Sequence, residues 1–168
     1  KVVLEKDIIS MMKIYVLGVC GTFMGGLAQL AIQKGFEVAG CDENAYPPMS
    51  NVLAEQGIKV DQGFSTRNIA DDIDLFVIGN VVSRGNPMME EILKRRLKFV
   101  SGPQFLTESI LEDRHVIAIS GTHGKTSTSS MLAKVLIDAG LDIGYMIAGR
   151  AIDLDSTAFL GTHKYFVI

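Results

Sequence analysis

Residues 116–131 read V-I-A-I-S-G-T-H-G-K-T-S-T-S-S-M, an apolar run, then a turn of glycines, hydroxyls and one lysine, then a helical pattern. A polyphosphate needs backbone N–H groups aimed inward, a cation near its terminal phosphates and a hydroxyl able to ligate Mg²⁺. Gly121, Gly124, Lys125 and Thr126 are of the types that supply these. The common G-x-x-x-x-G-K-[ST] pattern would need a glycine where Ile119 stands, so the spacing departs from the usual one. The same residues also suit a plain strand-to-helix turn capped by Thr126 or Ser127, and the residues alone leave both readings open.

A second glycine-rich loop lies earlier. Gly18, Gly21, Gly25 and Gly26 fall in G-V-C-G-T-F-M-G-G, between the β-rich run K-I-Y-V-L and the helical pattern L-A-Q-L-A-I-Q-K. Cys20 stands where a dinucleotide fingerprint has its second glycine, which disfavours a plain NAD site and an oxidoreductase. Gly21 and the helix start near Gly25 can still receive a diphosphate. Asp42, after the strand F-E-V-A-G-C, is placed where an acid meets a ribose hydroxyl in open α/β sheets. The alternative is a tightly packed turn with a solvated aspartate.

The elements that position these loops follow from periodicity and punctuation. After Tyr46-Pro47-Pro48-Met49, Ser50 is expected to cap a helix from Asn51 to Gln56, ended by Gly57. A strand follows near Ile58, another over Asp74–Gly79, then a helix opened by Pro87 and running to Arg96. This leaves Asn80, Ser83, Arg84 and Asn86 at a strand's carboxyl end. Leu97–Val100 reads as a strand and Gln104–Leu111 as a helix. The pattern restarts at His115, so residues 12–113 are expected to form one domain and residues 114–168 the start of another. The second unit is read as a helix over Thr126–Asp138 with strands at Ile143–Ile147 and Lys164–Ile168. The fold class is α/β, a Rossmann-like, mostly parallel sheet followed by the opening of a phosphate-loop domain. The chain stops inside its last strand, so an incomplete second domain is expected. Residues 1–11 are either a native extension or a cloning remnant, and no function is assigned to them.

Composition narrows the chemistry. The 168 residues are 48% hydrophobic with a formal net charge of −3, and the basic residues are scattered. That excludes an electrostatic grip on nucleic acid or on an anionic membrane as the expected activity. No apolar run approaches the roughly 20 residues of a membrane span. Cys20 and Cys41 have no metal-ligand spacing, and free thiols in the cytoplasm are expected. The methionines, including Met24 and Met49, read as core fillers. His115 and His163 read as loop or strand-end residues.

The combination of G-V-C-G-T-F-M-G-G-L-A, D-E-N-A-Y-P-P-M-S, G-N-V-V-S-R-G-N-P, S-G-P-Q-F-L and S-G-T-H-G-K-T-S, in this order, resembles the Mur ligases. The resemblance covers Lys13 to Ile168. It implies an N-terminal UDP-sugar domain and a central ATPase domain, with a C-terminal domain for the amino substrate absent here. It implies ATP and Mg²⁺ as cofactors and ATP-driven amide formation through an acyl phosphate. Y-P-P-M-S, S-R-G-N-P and S-G-P-Q favour the family branch that joins UDP-N-acetylmuramate to the murein tripeptide L-Ala-γ-D-Glu-meso-diaminopimelate, over the branch that adds L-alanine. Carried onto this sequence, Lys125 contacts the terminal phosphates and Thr126 ligates the metal. Gly121, Thr122, Gly124 and Ser127 surround the phosphates, and His123 either meets substrate or packs the loop. Gly18, Gly21, Thr22, Phe23 and Met24 surround the UDP diphosphate, Asp42 the ribose or uracil side, and Asn80, Ser83, Arg84 and Asn86 the far wall. A chain of this extent is expected to bind the sugar nucleotide without catalysing ligation, as a nucleotide-sugar-binding module would.

Overall fold

The computed structural model describes residues 12–149, 154 and 156–168. The extension expected over residues 1–11 lies outside the described residues.

Five strands form an all-parallel sheet: β1 (Lys13–Leu17), β2 (Glu37–Asp42), β3 (Lys59–Gln62), β4 (Leu75–Ile78) and β5 (Phe99–Ser101), in the order β3-β2-β1-β4-β5. The order reverses between β1 and β4, which opens a crevice at their carboxyl ends, the place where such sheets take ligands. The connecting helices are α1 (Thr22–Lys34), α2 (Met49–Glu55), α3 (Pro87–Lys94) and α4 (Gly102–Phe105), the last continuing as a π-helical turn over Leu106–Ile110. A second sheet holds β6 (His115–Ile117), β7 (Gly144–Met146), β8 (Ala158–Phe159) and β9 (Tyr165–Val167) in the order β6-β9-β7-β8. Its strands are parallel except for β8, which runs antiparallel to β7 at the edge. Helix α5 (Lys125–Asp138) packs on this sheet through Ala133 and its neighbours.

Alternation along β1 sends Ile14 and Val16 to one face and Tyr15 and Leu17 to the other, so both faces of the first sheet are covered. On the second face, Tyr15 is buried with its hydroxyl donating to Asp61 at 2.9 Å. On the first, Leu27, Leu30 and Ala31 of α1 share a core with Met146, Ala158 and Phe166 of the second sheet. Every residue of α1 from Met24 to Ala31 is buried. Buried all round over these two turns, α1 lies between the two sheets.

Four helices end by one device. Gly35, Gly57, Arg96 and Gly140 take positive φ, and the paired bonds that close each helix run to the carbonyls three and five residues back, as Arg96 N to Leu93 O and Leu97 N to Ile92 O show at 3.1 and 3.0 Å. The glycines mark their helix ends in the sequence. The third helix stops at Lys94, short of the expected Arg96, because Arg96 itself adopts the left-handed turn with φ 54°. Two other expectations change. Helix α2 begins at Met49, so Ser50 lies inside it and caps nothing. Ser101, expected with Gly102 and Pro103 to open the next helix, caps α4 by accepting the amide proton of Gln104 at 3.3 Å, and the helix starts at Gly102, two residues before the expected Gln104.

Candidate functional site

The first loop begins where β1 ends. Gly18 has φ 80°, and a Cβ there would lie 2.7 Å from Val81 Cγ2, so only glycine passes this point without moving the loop after β4. Its N–H donates to Cys41 O at 2.8 Å. Asp42, 8% exposed, braces the loop from β2: Oδ2 accepts the amide proton of Cys20 at 2.9 Å and Oδ1 that of Asn44 at 2.9 Å. The expectation for Asp42 was a contact on the ribose or uracil side, or a solvated aspartate in a packed turn; the structure shows a nearly buried carboxylate that braces the loop, which the sequence did not signal. Burial, with Asp42 nearby, pushes the Cys20 thiol above its ordinary value, and burial pushes Cys41 up to about 12, so neither is a ready thiolate.

Gly21 stands at the N-cap of α1 in extended conformation, and no side chain caps the helix. Thr22 is exposed and Phe23 half-buried, while Met24 turns inward. Its side chain fills the space beside Gly79 and Gly102, where an added Cβ would come within 3.1 Å of Met24 Cγ and 2.6 Å of its Sδ respectively. Met24 thus offers a ligand only its backbone.

The far wall is arranged differently. Asn80, Ser83 and Arg84 are exposed at the carboxyl end of β4. Asn86 spends its Oδ1 on the cap of α3, accepting from Met88 N and Met89 N at 3.1 Å each. Arg84 leans toward Glu90 at 4.0 Å.

The second loop follows β6. Gly124 takes φ 77° at the N-cap of α5, which has no side-chain cap and no acidic residue in its first turn. Neither Thr126 nor Ser127 therefore acts as the cap, and the helix start keeps its positive end open to an anion. Lys125 Nζ folds back over the loop, donating to Gly121 O at 2.7 Å and Thr122 O at 3.3 Å. Thr126 Oγ1 donates to Ala148 O at 3.1 Å. Since a hydroxyl that donates retains its lone pairs, this bond orients Thr126 without blocking it. Thr122, His123 and Ser127 are exposed.

The two loops meet at one cavity of about 220 Å³. Thr22, Phe23 and Gly26 line it from α1, Lys125, Thr126 and Ser129 from α5, and Met146 to Ala148 from the end of β7. Of the expected residues, Thr22, Phe23, Lys125 and Thr126 come together here. Asp42, Asn80, Ser83, Arg84 and Asn86 lie outside this lining. Gly26 comes from the glycine-rich loop already read in the sequence, whereas Ser129 and Ala148 were not foreseen, and no local signal marks them, because their role comes from the packing of one sheet on another.

A doubly wound parallel sheet with a glycine loop at its carboxyl end places the chain in the class of open α/β proteins that take ligands at that end. A family model described as the Mur ligase family, catalytic domain, matches residues 13–114, and the chain belongs to the Mur ligase family. It is 46% identical over 157 residues to UDP-N-acetylmuramate-L-alanyl-gamma-D-glutamyl-meso-2,6-diaminoheptandioate ligase of Escherichia coli strain K12, covering 94% of this chain and 34% of that relative. The solved UDP-N-acetylmuramate:L-alanyl-gamma-D-glutamyl-meso-diaminopimelate ligase from Neisseria meningitides superimposes with a TM-score of 0.89 at 44% identity, over 94% of this chain and 52% of that one. The UDP-N-acetylmuramate-alanine ligase of Thermotoga maritima, at 23% identity and a TM-score of 0.84 over 93% of this chain and 36% of that one, shares the fold. The chain spans about a third of the length of the curated relatives it matches.

Proposed function

We propose that this chain is the sugar-nucleotide-binding and phosphate-gripping part of an ATP-dependent ligase that joins UDP-N-acetylmuramate to L-Ala-γ-D-Glu-meso-diaminopimelate in peptidoglycan recycling. The observation that carries the reading is the shared cavity, where the start of α1 faces Lys125 and Thr126. On this reading residues 12–113 hold the UDP-sugar and residues 114–168 belong to the ATP-binding domain. The reaction belongs in the cytoplasm, and no helix among the described residues is long and apolar enough to cross a membrane.

The residues present fit a nucleotide triphosphate with Mg²⁺. An uncapped helix start, a left-handed glycine and a lysine held over the loop suit phosphate oxygens. For the cation this chain offers the Thr126 hydroxyl, the remaining positions falling to phosphate oxygens, water and further carboxylates. ATP with its metal would supply the activating phosphoryl group for the muramate carboxylate. Lys125 would leave the carbonyls of Gly121 and Thr122 to neutralise phosphate charge, which is where phosphoryl transfer takes most of its catalysis. Thr126, held by Ala148 O, would aim a lone pair at the cation. Thr22 and Phe23 would confine the muramoyl end of the sugar nucleotide to the same cavity, excluding water from the activated carboxyl.

Calorimetric titration tests this. The chain is expected to bind UDP-N-acetylmuramate. Lys125→Ala is expected to preserve that affinity within about twofold while weakening Mg-ATP at least tenfold, a loss of about 1.4 kcal/mol or more. Equal ATP affinity in the variant, or no sugar-nucleotide binding by the parent chain, would overturn the assignment.

A further inference from the structure

Two glutamines of α1 fall outside every motif. Gln29 and Gln33 are one helical turn apart and face β8. As an edge strand, β8 pairs with β7 on one side through Tyr145↔Phe159 and Met146↔Ala158, and its other edge would present unpaired backbone groups. The Gln33 carboxamide satisfies that edge: Nε2 donates to Ala158 O at 3.2 Å, and Oε1 accepts the amide proton of Leu160 at 2.7 Å. One side-chain amide thereby pairs as the peptide of a neighbouring strand would. Gln29 is fully buried. Its Nε2 donates to Gly25 O at 3.3 Å and to Thr157 Oγ1 at 3.4 Å, and its Oε1 accepts from Gln56 Nε2 at 3.2 Å. One turn nearer the glycine loop, a Cβ on Gly26 would sit 3.2 Å from Met146 Cγ and 3.6 Å from Ala158 Cβ, so the helix backbone itself rests on the second sheet.

We infer that Gln33, with Gln29, is a positioning residue that sets the register of α1 against β8 and so fixes how the 18–26 loop faces the 121–126 loop. Apolar packing between Leu30 or Ala31 and Ala158 or Phe166 is non-directional and tolerates sliding and rotation. Hydrogen bonds to two backbone groups on the same edge, Ala158 O and Leu160 N, tolerate neither. Since α1 is a single rigid element, a shift at Gln33 moves Thr22 and Phe23 at its start. The placement of the cavity's two walls therefore depends on a contact at the other end of the helix.

Residual dipolar couplings of the 18.2 kDa chain test this without any ligand, so failure of the ligase reading leaves the experiment intact. In the parent chain, amides of both sheets are expected to fit one alignment tensor. In Gln33→Met, which keeps volume and removes both bonds, the sheets are expected to need separate tensors, with exchange of the Leu160 amide at least tenfold faster. Gln33→Asn, polar but a methylene too short, is expected to behave as Gln33→Met does and decides the matter if the methionine variant does not fold. Gln33→Glu, which keeps the acceptor, is expected to hold Leu160 exchange within about threefold of the parent. A single tensor in Gln33→Met or Gln33→Asn, or unchanged Leu160 exchange, would sink the inference.

Discussion

Asp42 Oδ2 and the backbone amide of Cys20 are joined at 2.9 Å, tying the end of β2 to the glycine loop after β1. Because the carboxylate is 8% exposed and also accepts from Asn44, its loss leaves two amides without their partner. Asp42→Ala is expected to cost about 1–3 kcal/mol, to speed exchange of the Cys20 and Asn44 amides, and to weaken UDP-N-acetylmuramate binding. Urea denaturation and amide exchange measure the first two, calorimetry the third. Unchanged Cys20 exchange would remove Asp42 from the loop.

Arg96 pays the steric cost of φ 54° at the end of α3, where the three comparable helix ends use glycine. Arg96→Gly relieves the left-handed strain, partly offset by the greater freedom of glycine in the unfolded chain. A net gain of about 0.5–1 kcal/mol is expected, seen as a melting temperature higher by about 1–4 °C. A lower melting temperature would show that the arginine side chain contributes more than its backbone costs.

Two glycines separate space from flexibility. A Cβ on Gly144 would lie 2.3 Å from Phe166 Cδ2 and 2.4 Å from Leu160 O, whereas on Gly25 it would meet Met49 Sδ at 2.6 Å. A buried ring and a backbone carbonyl cannot readily move aside, but a methionine side chain can. Gly144→Ala is expected to destabilise by about 1–3 kcal/mol and Gly25→Ala by clearly less, each read from its urea midpoint.

Asp142 accepts from the hydroxyl and the amide of Thr162 at 2.7 and 2.9 Å. These bonds, the hydroxyl first, hold its carboxyl below the ordinary value of 3.8. A depressed folded-state value means stability that is present above pH 3.8 and lost as pH falls through the lower folded value. Asp142→Asn is therefore expected to unfold earlier than the parent at neutral pH, with the gap narrowing below pH 3.8 and closing only below the lower folded value. Urea titrations at several pH values would show this. A constant gap across pH would exclude the carboxylate.

The parts of the fold legible in the sequence were those encoded locally. Gly35, Gly57 and Gly140 marked helix ends, Pro87 marked a helix start, and apolar runs marked the strands of the first sheet. Helix ends and strands failed to read where the cause was not local. Arg96 carries no glycine signal, Ser50 is a good cap placed where the chain had already become helical, and the two residues of β8 are too few to show a period. At the site, Lys125 and Thr126 were readable because one loop holds them. Ala148 and Ser129 were not, because they approach only when the second sheet packs on α1. Met24 and Asn86 lay within readable motifs, yet their side chains serve the core and a helix cap. A motif reports that a backbone is needed more reliably than it reports which side chains are free.

The pairing of Gln33 with Ala158 and Leu160 has a consequence for sheet growth. A strand edge left open recruits strands from other copies, and that is how sheets extend into aggregates. In the order β6-β9-β7-β8, the β8 border is occupied by a side chain of the same molecule. A further strand joining the four-stranded sheet at β8 would first have to displace that side chain. The glutamine that aligns the helix thereby also guards one border of the sheet.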